Sequence, residues 1–254
     1  MPKKKRVLIL SDLHCGHKTG LLPPGQHRPH SDDKLDQVGI ELWKQFVGII
    51  EPLKPFDVVI ANGDLIDGRE NSGELIQGDR NFQADLATAC LQETECKHFA
   101  IIKGTPFHVG KAEQFEGRVA DNLNAKSFGA HEYIEINGLV FDCKHKVGSS
   151  AVPHGPYTPI AKERLWSVLW GDKGQPNSKV IIRSHTHKFN FCGDFDWLGM
   201  TTPGLQGTSE YGVTQVSRTI DWGVVYFDIW SKDQWNWKPV ALELDIVKSE
   251  VVKF

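Results

Sequence analysis

The chain has 254 residues, 40% hydrophobic and 24% charged, with a formal net charge of −3. This is an ordinary globular composition, and the charge gives no global electrostatic reason to expect a nucleic-acid binder. No segment approaches the roughly 20 apolar residues of a membrane span, so no membrane association is expected. The basic start, Lys3 to Arg6, has the look of a nuclear-import signal but is expected to be a charged flank of the first strand. The apolar run behind it is too short for the h-region of a secretory signal, about 7–15 residues. Five cysteines without a C-x-x-C spacing are expected to be reduced, partly buried thiols of a cytoplasmic protein. With no linker, low-complexity tract or repeat, one domain spanning 1–254 is expected.

Val7 to Leu10 is a continuous apolar run that stops at Ser11-Asp12-Leu13-His14, as a strand buried on both faces does. A polar loop follows, from about His17 to Asp32. Leu35, Val38, Leu42, Phe46, Ile49 and Leu53 then recur at three or four residues and predict an amphipathic helix. Val58 to Ala61 is a second buried strand, ending at Asn62-Gly63-Asp64. A helix is expected over about 82–96, a strand over Phe99 to Ile102 running into Lys103-Gly104-Thr105, and a helix over Glu113 to Leu123. The segment 131–144 reads as two strands joined by Asn137-Gly138, a strong hairpin signal, and ends at Lys144-His145. Pro159 to about Trp170 predicts a helix, and Lys179 to Arg183 a strand ending at Ser184-His185-Thr186-His187. The remainder is strand-like, notably Gly223 to Trp230 and Pro239 to Ile246. An α/β fold of two face-to-face sheets with helices outside satisfies this order.

Five predicted strands thus end in polar groups able to bind metal or move protons: Asp12 and His14; Asp64 and Asp67; Thr105 and His108; His145; His185 and His187. In open α/β sheets, sites gather at the carboxyl ends of strands. Asp and His without thiolate suit Mn²⁺, Fe²⁺, Zn²⁺ or Mg²⁺. Residues i and i+2 of an extended strand face the same way, which would let Asp12 and His14 share one ion. A bridging carboxylate can hold two ions roughly 3.5–4 Å apart, the arrangement of two-metal phosphoryl chemistry.

The motifs D-L-H at 12–14, G-D-L-I-D at 63–67, G-T-P-F-H at 104–108, His145 and S-H-T-H at 184–187 resemble, in order, those of calcineurin-like metallophosphoesterases. The resemblance spans about 12 to 187 and is similar to a phage- or prophage-type variant with G-T-P-x-H in place of G-N-H-D/E. It implies a four-layer α/β/β/α sandwich and hydrolysis of phosphate esters by a dinuclear metal-activated hydroxide. Asp12, His14 and His187 would hold the first metal, Asp64 would bridge, and His145 and His185 would hold the second. The two divalent ions would be Mn²⁺ in vitro, with Fe, Zn or Mg as alternatives.

The third motif departs from the family's pattern: Thr105 stands where an asparagine ligates the second metal, and Pro106 where a histidine serves the phosphate. His108 could act instead, as a second-metal ligand or as the general acid. Ser184 replaces a glycine, a change expected to be tolerated. Asp67 is expected to hold a ligand or cap its loop rather than bind metal. Protein phosphatases of this kind carry an arginine where this chain has Gly68, which weakens that reading. His17, His27 and His30 are expected in an exposed loop, with His17 and His154 as candidate substrate contacts. Trp222, Trp230, Trp235 and Trp237 are expected to pack in the core.

A phosphodiesterase, acting on nucleic-acid or nucleotide diesters, is the expected function. A phosphomonoesterase and a non-catalytic binding module of the same fold are the alternatives. The partner is a phosphate ester, with no obligate protein partner evident, and the compartment is the cytoplasm, the host's if the chain is phage-encoded.

Overall fold

The computed structural model describes residues 3–26, 34–68, 74–110, 115–148, 150, 152, 155–208 and 219–242. In chain order the elements are β1 (Lys5–Leu10), α1 (Lys34–Ile50), β2 (Val58–Asn62), α2 (Arg80–Gln92), β3 (Phe99–Ile102), α3 (Pro106–Val109), α4 (Phe115–Asn122), β4 (Ser127–Gly129), β5 (Glu132–Ile136) and β6 (Leu139–Cys143). They continue as α5 (Thr158–Gly171), β7 (Val180–Arg183), β8 (Asn190–Gly193), β9 (Leu198–Thr201), β10 (Trp222–Ser231) and β11 (Gln234–Leu242).

The period of two along β1 decides the layering. Val7 and Ile9 face one core with Ile60, Ile102, Phe141, Val180, Ile182 and Phe227. Leu8 and Leu10 face a second core with Val59, Ala61, Leu42, Phe46, Leu86 and Val119, so α1, α2 and α4 cover the outer face of the first sheet. That sheet runs β11-β10-β1-β2-β3-β4, and the second runs β5-β6-β7-β9-β8. β1, β2, β3 and β4 are parallel neighbours, as are β6, β7 and β9, so the carboxyl ends of both central sets gather at one edge of the sandwich. α5 lies on the second sheet, with Ile160 buried against it. The expected layers, helices outside two sheets, are those observed.

Local chemistry sets the ends. Asn137 and Gly138 both take positive φ, 51° and 82°, the backbone a two-residue hairpin turn needs, and join β5 to β6. The Asn137 amide also donates to the Lys3 and Ile229 carbonyls, fastening this hairpin to the first sheet. The basic start is a flank of β1: Lys5 pairs with Asp57 at 2.7 Å, and Arg6 clamps Asp228 on β10 through Nε and Nη2, each at 2.7 Å.

Some boundaries differ from expectation. β11 begins at Gln234, before the expected Pro239, because Lys232 and Asp233 turn the chain tightly enough for Trp235 and Trp237 to pair with β10. Both indoles pack against the inter-sheet core, and Trp222 is fully buried. The short strands β4, β8 and β9 carry no period long enough to announce them. Cys96 falls beyond α2 rather than on it; all five cysteines are free, four of them buried. Residues 243–246 of the last expected strand, with His27, His30 and His154, lie outside the described residues. No helix among the described residues is long and apolar enough to cross a membrane.

The Asp228 carboxyl is held below its ordinary value by the Arg6 guanidinium. Burial works against ionisation of Asp142, yet His131 and Arg183 hold it low as well. A depressed folded value stabilises above the unfolded value of about 3.9 and is lost as pH falls through the folded value. The urea midpoint is therefore expected to drop between pH 5 and pH 3, and less steeply in Asp228→Asn; equal slopes would remove this pair from the account.

Candidate metal centre

The strand ends are extended into the site by paired loops. Asp12 N–H donates to the Gly63 carbonyl at 2.9 Å, His14 N–H to Asp64 at 3.0 Å and Cys15 N–H to Leu65 at 3.0 Å, so the loops after β1 and β2 continue the ladder. On the second sheet Ser184 N–H donates to the His145 carbonyl at 2.7 Å, and Asp221 N–H, just before β10 of the first sheet, donates across to His187 at 2.8 Å. A buried side-chain chain joins the two sheets here. The Asn62 amide donates to Ser184 Oγ at 2.6 Å, Ser184 Oγ meets Thr202 Oγ1 at 2.7 Å, Thr202 meets Ser11 Oγ at 2.8 Å, and Ser11 donates to Asp12 Oδ2 at 2.7 Å. Ser184 is therefore a link between the two sheets, with a hydroxyl that a glycine would not supply.

Asp12, His14 and His187 form one group and Asp64, His145 and His185 another, each offering ligand atoms within 4.8 Å of one another. The groups touch: His145 Nε2 lies 2.9 Å from Asp64 Oδ2 and 3.7 Å from Asp12 Oδ1. Asp12 and His14 do not meet through strand alternation, as expected from their spacing. Both lie beyond β1, at φ 53° and 47°, and the same is true of His185 and His187 beyond β7, at 74° and 49°. Left-handed backbone, sparsely populated by residues other than glycine, turns each pair inward.

Burial and charge prepare the site for cations. Asp12 Oδ1 and His14 Nε2 are buried without a hydrogen-bond partner and lie 4.0 Å apart. Such orphaned atoms fit a metal ion, which needs lone pairs directed at one point. Burial alone would raise both aspartates. Instead His187 and His145 hold Asp12 well below the carboxylate range, and His145 and His185 do the same for Asp64. Burial and the neighbouring His108 lower His14 to about 4, leaving a neutral imidazole suited to ligation. His145 is pushed up against its burial by Asp64 and Asp12.

The outer partners are as definite. Asp67 Oδ1 sits 3.1 Å from His14 Nδ1, close enough to orient that ring, and with His14 and His108 it forms a third group whose ligand atoms lie within 4.8 Å of one another. Thr105 donates to Asp64 Oδ1 from its backbone at 2.6 Å and from Oγ1 at 3.1 Å. His108 is buried with His14 and Asp67, its ring centroid 4.5 Å from that of His14 and its Nδ1 2.8 Å from the Asp67 carbonyl. That places it with His14, outside the group of Asp64, His145 and His185. His17 is buried rather than solvated: its Nδ1 accepts from Thr19 N–H at 3.1 Å, and its Nε2 lies 3.4 Å from Glu74. This braces the loop and takes His17 out of an exposed substrate lip. Gly68, at φ +70°, has the His108 carbonyl where a Cβ would stand, so the phosphatase-type arginine is sterically refused.

Glu116 was not singled out by sequence. Buried on α4, it accepts from Leu65 N–H at 2.9 Å and Gly104 N–H at 2.7 Å, tying the second and third motif loops together. Burial and the nearby Asp64 raise its carboxyl to about 7. A helical glutamate reads as surface until the loops above it are known. Glu116→Gln keeps the size but offers one acceptor for two N–H groups. Mn²⁺ affinity by calorimetric titration is expected to fall about 10–100-fold, the scale for outer-shell partners; unchanged affinity would reduce Glu116 to packing.

No protein-family model matches the sequence, and no curated protein matches it. Solved structures do. Vacuolar protein sorting 29 from Cryptosporidium parvum is 10% identical, with a TM-score of 0.52 over 95% of this chain and 99% of that one. Vps29 from Entamoeba histolytica, complexed with Zn²⁺, is 12% identical, with a TM-score of 0.47 over 93% and 98%. A novel archaeal phosphodiesterase is 14% identical, with a TM-score of 0.47 over 92% and 99%. At these identities the likeness concerns the fold alone, and the first of the three carries it. Two face-to-face sheets flanked by helices, with paired loops at one edge, are thus a fold like that of vacuolar protein sorting 29.

Proposed function

We propose that the protein is a metal-dependent phosphodiesterase, with nucleic-acid or nucleotide diesters as its substrate class. The observation that carries the reading is the contact between two three-residue ligand groups, Asp12/His14/His187 and Asp64/His145/His185, at one buried point. Two such groups would hold two divalent ions, Mn²⁺ in vitro, with Asp64 among the residues of the second group. When bound, the ions supply a nucleophile at neutral pH and neutralise charge building on the phosphoryl oxygens.

The chain's own groups do the rest. Asp12 is fixed by Ser11 and Asp64 by Thr105, so neither carboxylate must reorganise as charge develops. Thr105 serves as a donor to Asp64 in this reading, not as a metal ligand. Asp67 sets the His14 ring, and Glu116 sets the loops that carry Asp64 and Thr105. His108 donates from Nδ1 to the Asp67 carbonyl, which leaves Nε2 to hold and release a proton to the leaving alkoxide. No serine or cysteine nucleophile is needed.

The test is p-nitrophenolate release from bis-p-nitrophenyl phosphate and from p-nitrophenyl phosphate with Mn²⁺. Diester turnover should exceed monoester turnover, stop with chelator, and fall at least ~100-fold in Asp64→Asn. Faster monoester turnover would make the enzyme a phosphomonoesterase. Metal binding without turnover of either ester would favour a non-catalytic binding module. His108→Ala should cost about 10²–10⁴-fold on a dinucleotide, whose alkoxide needs a proton, and far less on the p-nitrophenyl diester. Equal losses on both would deny His108 the acid role.

A further inference from the structure

A cleft of about 680 Å³ opens beside α5, lined by none of the candidate ligands. Its floor is a closed ionic cluster. Arg183, 1% exposed, reaches Asp142 at 2.8 Å and Glu163 at 2.6 Å, and Lys144 reaches Glu163 at 2.8 Å. Its walls are aromatic. Trp166 and Trp170, one helical turn apart on α5, line it while remaining 54% and 52% exposed, with Tyr133 across from them on β5. A folded chain gains nothing by leaving two tryptophans half in water beside a cavity, since each could bury roughly 150–250 Å².

We propose that this cleft binds a nucleobase, stacked on Trp166 or Trp170, from a nucleotide or a single strand of nucleic acid. Its volume falls in the range of roughly 300–1,000 Å³ typical of small-molecule sites. Two indole faces beside a lining otherwise rich in polar groups suit a flat heterocycle, because every base has a π-face while its edges need donors and acceptors. Gln175 on the lining and the Lys144 ammonium, one-third exposed, supply those at the rim. The paired floor carries no spare charge that would demand an ionic ligand. The cleft is also close to the chemistry: Lys144 adjoins His145, and Arg183 lies two residues before His185. At about 3.3 Å per strand residue, the floor is within roughly 10 Å of those ligands. The inference rests on the diesterase reading for its substrate class, but not for its binding.

Binding can be separated from turnover by working with the full chain in EDTA. The probes are fluorescein-labelled oligothymidylate, followed by fluorescence anisotropy, and AMP as a competitor. Trp166→Ala and Trp170→Ala are each compared with wild type. Both side chains are half exposed, and far-UV circular dichroism and melting temperature check the fold. The wild type is expected to bind the oligonucleotide, with affinity falling roughly 5–150-fold in at least one variant, the scale of losing one stacked base. Displacement by AMP would assign the site to a free nucleotide as well as a strand; binding that AMP does not displace would assign it to the strand. Mn²⁺-dependent turnover of bis-p-nitrophenyl phosphate, which has no base, should be unchanged in both variants. No oligonucleotide or AMP binding by wild type, or equal binding by all three proteins, would overturn the proposal while leaving the diesterase reading intact. Variants that only dissociate a wild-type dimer would overturn it too, making the tryptophans a protein interface. Tryptophan-dependent binding by a protein without turnover would overturn the diesterase reading alone.

Discussion

The site depends on a chain of hydroxyls and one amide, Asn62, Ser184, Thr202, Ser11 and finally Asp12, that crosses between the two sheets where their strands end. Beneath it the sheets meet through apolar side chains, which exclude water but specify distance loosely. Above it the ligand loops from the first sheet must meet those from the second with ångström accuracy. Hydrogen bonds of 2.6–2.8 Å supply that accuracy, and each member is fully buried, so an unmade bond would cost more than a made one gains. Asn62 also donates to the Lys144 carbonyl, placing the residue next to His145 by the same device.

This precision has a cost. Of the eight non-glycine residues with positive φ among the described residues, five are Asp12, His14, Asp64, His185 and His187. Each such backbone costs on the order of 1–3 kcal/mol and persists only where its surroundings over-determine it. The loop-to-loop ladder and the hydroxyl chain provide that constraint. Five unfavourable conformations converging on one buried point have no packing rationale, since an extended loop could cover the same core. They are intelligible as the geometry needed to aim lone pairs inward. Two carboxylates buried there also demand positive charge. In the protein alone that demand raises His145; a cation meets it better, because the orphaned atoms of Asp12 and His14 then acquire a partner.

The parts of this arrangement visible in sequence were those written locally. The apolar run before Asp12, the Asn137-Gly138 turn and the clusters at the strand ends all follow from period and turn chemistry within a few residues. The grouping of ligands was legible as well, though the spacing argument for Asp12 and His14 assumed an extended backbone that stops at Leu10. What stayed hidden depends on contacts between distant segments. Glu116 matters because two loops 51 and 12 residues away descend on it. His17 is buried because the segment around Glu74 closes over its loop. Ser184 looked like a small substitution because its partner Thr202 belongs to a strand end that no pattern announced.

The third motif shows how such hidden contacts change the meaning of a visible departure. Thr105 and Pro106, compared with an expected pattern, suggest a weakened second-metal site. In the fold, the residue before the α3 turn gives two donors to one Asp64 oxygen, and Pro106 starts that turn without needing a backbone N–H. The turn then carries His108 under Gly68 and beside His14. The segment thus fixes a carboxylate through Thr105 and seats its imidazole beside His14. Gly68 accepts a left-handed backbone to make room for the His108 carbonyl, and Asp67 presents its own carbonyl to His108 Nδ1 while its carboxylate holds His14. Two residues arranged around one histidine, Gly68 and Asp67, make His108 a placed group rather than a loop residue left over from the pattern.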